Sequence, residues 1–106
     1  MSLPKIITCY TTVADMESAD LLISQLLEVR LIACGVSWPI QSQYTWHNEP
    51  QKEGEYVVLM KSALDLKDRL VSRIQDFHPY EVPCILLQEV ESNLAYFDWV
   101  REQTGR

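Results

Sequence analysis

Hydrophobic positions along this chain switch repeatedly between strand and helix spacing. Lys5–Thr12 is rich in β-branched residues and reads as a strand. From Asp15 the spacing becomes helical, with Ala19, Leu22, Ile23 and Leu26 recurring to about Val29. Asp15 suits an N-cap, and Glu17 lies near the positive end of that helix. Leu31–Ser37 begins a second strand, which resumes after Pro39 as Ile40–Trp46. Ile40, Tyr44 and Trp46 share one face there, and Gln41, Gln43 and Thr45 the other. Pro39 has no N–H to give, so this strand belongs at an edge or a bulge. His47–Gly54 is polar and holds Asn48, Pro50 and Gly54, which predicts a loop. Glu55–Lys61 is the third strand. Ser62 and Asp65 make a capping-box pattern before a second helix, whose buried stripe is Ala63, Leu66, Leu70, Ile74 and Phe77. Cys84–Val90 is the fourth strand. Asn93 is placed to cap a short last helix with Tyr96, Trp99 and Val100 on one face.

The order β-α-β-β-α-β-α predicts an α+β, ferredoxin-like split-βαβ sandwich, an antiparallel sheet with helices on one face. That plan leaves a second face to account for. The third strand carries Val57 and Leu59 on one side and Tyr56, Val58 and Met60 on the other. The first strand sets Ile7 and Cys9 against Ile6 and Tyr10. Strands apolar on both sides are buried on both sides. Two helices cannot cover both, and burying each Val or Leu is worth about 1.5–3 kcal/mol. A partner subunit is therefore expected over the second face.

Composition sharpens this picture in three ways. The 106 residues (1–106) make one domain with a poor surface-to-volume ratio, which association would relieve. The net charge of −6, without a basic stripe, speaks against nucleic acid. The three cysteines are odd in number, far apart and without a CxxC pair, which fits reduced thiols in a cytoplasmic protein. Met1–Pro4 does not read as a signal peptide, and no apolar run approaches the roughly 20 residues of a spanning helix. No membrane partner is expected.

The candidate chemistry centres on His78-Pro79-Tyr80-Glu81-Val82-Pro83, between the second helix and the fourth strand. Pro79 stops the helix and holds His78 extended. The stiff loop displays an imidazole, a phenol and a carboxylate. His78, Glu81 and Cys34 are candidate metal ligands, since imidazole and thiolate suit copper or zinc and a carboxylate adds a hard oxygen. Each also has a structural use: His78 as a helix C-terminal cap, Glu81 as an ion-pair partner and Cys34 as core. No catalytic activity is expected: a nucleophile–base spacing, a GxSxG, an HExxH and a P-loop are all missing.

This segment, with Ala33-Cys34, Pro39, Tyr44-Thr45-Trp46, Lys61 and Tyr96-Phe97-Asp98-Trp99 in order around it, resembles the CutA family of divalent-cation tolerance proteins from about Ile6 to Val100. Gly35-Val36 stand where the family usually has Val-Asn, Cys84 where it has Glu, and Gln88-Glu89 where it has Leu-Pro. The resemblance implies a homotrimer with sheets around a threefold axis and a part in divalent metal or copper response. It also implies a metal ion at an inter-subunit site. The alternative is a PII-like signalling trimer that takes a small molecule in the cleft between subunits. Lys61, Tyr80 and Glu81 would be its polar groups, with Trp46 and Trp99 as aromatic anchors.

Overall fold

The computed structural model describes residues 2–106. Asp15 caps the first helix as its side chain suggests: its Oδ1 accepts the Ser18 N–H at 2.8 Å, and the helix α1 runs Met16–Glu28 behind the strand β1, Lys5–Val13. Strands β2 (Cys34–Trp46) and β3 (Glu49–Ser62) follow, then a short 3₁₀ turn, Leu64–Leu66. Helix α2 (Lys67–Phe77), strand β4 (Ile85–Glu91) and helix α3 (Leu94–Gln103) complete the chain. The sheet is antiparallel in the order β2-β3-β1-β4, the split-βαβ arrangement. No helix among the described residues is long and apolar enough to cross a membrane.

The expected loop His47–Gly54 is corrected. Pairing continues from Cys34↔Lys61 out to Trp46↔Glu49, so only His47 and Asn48 turn. Both have positive φ, 50° and 64°, the backbone that a two-residue hairpin turn requires. Asn tolerates this conformation, and His47 is supported by an edge contact to Trp46 at 4.8 Å. Pro50 does not break the strand because, among the described residues, β3 there pairs with β2 alone; pairing to β1 begins at Tyr56. Pro39 lies on β2, an edge strand, as its missing N–H demands.

The cap expected from Ser62 is also corrected. Ser62 pairs with Ile7 as the last residue of β3, and its buried hydroxyl donates to the Leu31 carbonyl at 2.6 Å. The turn and α2 behind it have no side-chain cap. Asn93 does stand at the start of α3, without a side-chain capping bond.

Alternate residues divide the core between two faces. Ile7, Cys9, Val13, Val58 and Met60 pack with Leu22 and Leu26 of α1 and Leu70 and Ile74 of α2. On the other face Ile6 packs with Val100, Val90, Tyr96 and Phe97, so α3 covers one end of that side only. Arg30, at φ 59°, ties the helix ends together by donating to the carbonyls of Gln103 and Glu102 at 3.1 and 3.3 Å. The remainder of the second face is open. Val36 is 41% exposed, Trp38 40% and Leu86 60%.

Gly35 explains one departure from the family pattern. A Cβ there would lie 2.8 and 2.9 Å from Cγ1 and Cγ2 of Ile23, so α1 occupies the space a side chain would need. Gly35→Ala is expected to lower stability by about 1–3 kcal/mol through overpacking. Adding Ile23→Ala should recover part of that loss in urea unfolding. An equal loss in single and double variants would show that Ile23 is not the obstacle.

Candidate functional site

Pro79 places His78 in extended backbone (φ −77°, ψ 125°) at the end of α2, and the ring turns back onto β1. Its Nε2 lies 2.7 Å from the Thr12 carbonyl oxygen, and its Nδ1 accepts the Tyr80 N–H at 3.3 Å. A carbonyl only accepts, so Nε2 carries the proton and Nδ1 the lone pair. Both nitrogens of this buried ring are engaged. The imidazole therefore pins the loop to the sheet, and a metal could reach it only by displacing the Tyr80 amide.

Tyr80 packs edge-on against His78, with ring centroids 4.4 Å apart, and is thereby aimed at β3. Its hydroxyl donates to Glu55 Oε2 at 2.9 Å. Burial first, and then this carboxylate, hold the phenol well above its ordinary pKa. Burial, with Glu55 behind it, also raises the Cys84 thiol. Cys9, deeper in the core, is pushed up to about 12 by burial and then by Cys84.

Tyr80, Glu55 and Cys84 line a cleft of about 720 Å³ between the proline loop and the outer half of the long hairpin. Tyr80, Glu81, Val82 and Cys84 form one wall. The other comes from alternate residues of the hairpin: Ile40, Ser42, Tyr44 and Trp46 of β2, with Gln51, Glu53 and Glu55 of β3. Among the described residues, the lining has three carboxylates and no lysine or arginine.

The residues expected at one site fall into two groups. Trp46, Tyr80 and Glu81 line the cleft. Lys61 lies instead 5.5 Å from the Tyr96 ring centroid, and Tyr96 is 5.5 Å from Trp99. Cys34 pairs with Lys61, which pairs with Thr8. His78 reaches Thr12, four residues further along β1, about 13 Å at strand rise. Cys34 and His78 thus sit at different ends of the sheet. Among the described residues, no three His, Cys, Asp or Glu side chains are grouped to hold a metal ion. A single chain therefore does not fit one.

Glu53, Glu55 and Tyr44 were not among the expected site residues. The signal was the alternation Glu49, Gln51, Glu53, Glu55, which becomes meaningful once that stretch is a strand.

Residues 7–103 match the family described as CutA1 divalent ion tolerance protein. The divalent-cation tolerance protein CutA of Pyrococcus horikoshii is 36% identical over 101 residues, spanning 94% of this chain and 99% of that protein. Its counterpart in Thermus thermophilus is 38% identical over 96 residues, spanning 89% and 93%. The solved structure of CutA from Synechococcus elongatus PCC7942 superposes with a TM-score of 0.92 at 30% identity, over 98% of this chain and 94% of that one.

Proposed function

This chain belongs to the CutA1 divalent ion tolerance family, and we propose that it serves that role as a cytoplasmic homotrimer holding a metal ion, copper included, between its subunits. The observation that carries this reading is the uncovered apolar half of the sheet, with Val36 and Trp38 exposed on one edge strand, β2, and Leu86 on the other, β4. Such a surface favours association over solvation. The sheet also ends in two unpaired edges, β2 and β4, which a neighbouring copy can protect. Three free cysteines suit a reducing compartment.

A metal site then needs donors from more than one copy. Each chain offers Cys34 on the open face and the exposed Glu81 on the cleft wall. Thiolate favours copper or zinc over harder ions. The rival is a PII-like cleft for an anionic nucleotide. The three glutamates and missing basic groups of the lining speak against it.

Light scattering of the reduced protein should give about three times the 12.3 kDa of one chain. Titration of that assembly with Cu(I) and Zn(II) should saturate, and Cys34→Ser and Glu81→Gln should weaken it about tenfold or more. A monodisperse single chain would remove the inter-subunit site. Unchanged metal affinity in both variants would assign Cys34 and Glu81 to structure alone.

A further inference from the structure

Glu55 and Lys61 both lack a charged partner in one chain. Glu55 is only 7% exposed, and among the described residues its hydrogen-bond partner is the neutral Tyr80 hydroxyl. Lys61 is half-buried, with its Nζ 5.5 Å from the Tyr96 ring centroid. The ion pairs among the described residues join Asp65 to Arg101 and Arg106, so neither Glu55 nor Lys61 takes part in one. A carboxylate removed from water normally has a cation against it, because an unpaired buried charge is costly.

Register places both groups on the open face of the sheet. Alternate residues of β3 point the same way, so Glu53, Glu55 and Lys61 share that face with Cys34, Val36 and Trp38 of β2. Lys5 and Lys52 fall on the opposite side of their strands. Among the described strand residues Lys61 is thus the one cation of the open face, and it stands about 20 Å along β3 from Glu55. The face is acidic at its hairpin end and basic at its α3 end. Copies that set acidic half on acidic half would bring like charges together. In a closed ring each copy meets the next through two different patches, and unlike charges at the two ends of one face suit that contact.

We propose that a neighbouring copy fills the cleft beside the proline loop with its own Lys61, paired with Glu55 and Glu53, so that copies join head to tail. This contact rests on the homotrimer reading and adds what joins one copy to the next. It reunites across copies the two groups that one chain keeps apart: Lys61, Tyr96 and Trp99 at one end of the face, and Tyr80, Glu55 and Trp46 at the other. Cys34 pairs with Lys61 across β2 and β3, so it comes to the same cleft, whose wall carries Glu81.

Sedimentation of the reduced, metal-free protein over a dilution series, in urea below its unfolding range, tests this by a double-mutant cycle on association. Lys61→Met and Glu55→Gln should each raise the concentration at half-dissociation about tenfold or more. Glu55→Gln keeps the size and an acceptor for Tyr80. The double variant should be no more than about threefold weaker than the worse single variant, because both changes remove the same contact. At about 20 Å the two positions are independent within one chain, so coupling between them arises only across copies. Lys52→Met, on the other face, should leave the midpoint unchanged. Circular dichroism of the dissociated variants should match the parent; if Glu55→Gln does not fold, Glu53→Gln completes the same cycle. Additive losses, about a hundredfold in the double variant, overturn the contact, as does parental association in Lys61→Met. A parent that sediments as one chain at every concentration overturns the homotrimer reading and this contact with it. An assembled parent with additive variants overturns the contact alone. Metal is left out, so the copper and zinc titration is decided separately.

Discussion

Trp38→Asp should convert the assembly into single chains. Trp38 lies on β2 opposite Val57, on the face away from α1 and α2, and is 40% exposed in one chain. Val36 precedes it on that face, and Leu86 lies on the same side of β4. If a second copy covers these residues, a carboxylate among them is buried without a partner. The penalty is several kcal/mol at each symmetric contact. The isolated chain, in contrast, has Trp38 in water and should fold with little change. Light scattering then reads a drop from about three chains to one. Leu27→Asp is the control: Leu27 is 43% exposed on α1, over the opposite face, and should leave the mass unchanged. A Trp38→Asp protein that keeps the parental mass would show that this face is not the interface.

Leu70→Ala should give the largest loss of fold stability, about 2–5 kcal/mol by urea unfolding. Leu70 is fully buried in α2, among residues of β1, β3 and α1, so its deletion leaves a cavity that packed neighbours cannot collapse. Leu86 is an informative contrast. At 60% exposure, Leu86→Ala should change the stability of the dissociated Trp38→Asp chain by no more than about 0.5 kcal/mol. The same change in the assembled parent should weaken association. A small effect of Leu70→Ala would mean that the helix-side core is looser than its burial indicates.

The two stripes differ in how openly they could be read. Leu70 recurs with Leu66 and Ile74 at helical spacing, and α2 buries that stripe. The apolar residues on both sides of β1 and β3 likewise announced a sheet with two faces to cover. The hairpin tip was harder. Asn48, Pro50 and Gly54 are turn residues locally, but thirteen cross-strand pairs along β2 and β3 outweigh them, and the turn contracts to His47-Asn48. Ser62 has a capping side chain, yet its pairing with Ile7 keeps it in the sheet.

By itself, the sequence determined the order of elements, the split-βαβ plan, the Asp15 cap and the family resemblance carried by His78–Pro83. These rest on local spacing and on the fixed geometry of proline, which act over a few residues. Tertiary structure decided what the chemistry-bearing residues meet. It joined Tyr80 to Glu55 across 25 positions and His78 to the Thr12 carbonyl across 66. It also parted Lys61 and Trp99 from Tyr80 and Trp46. The reason is register: pairing along the long hairpin sets which alternate side chains share a face, and no local spacing encodes which strands lie side by side.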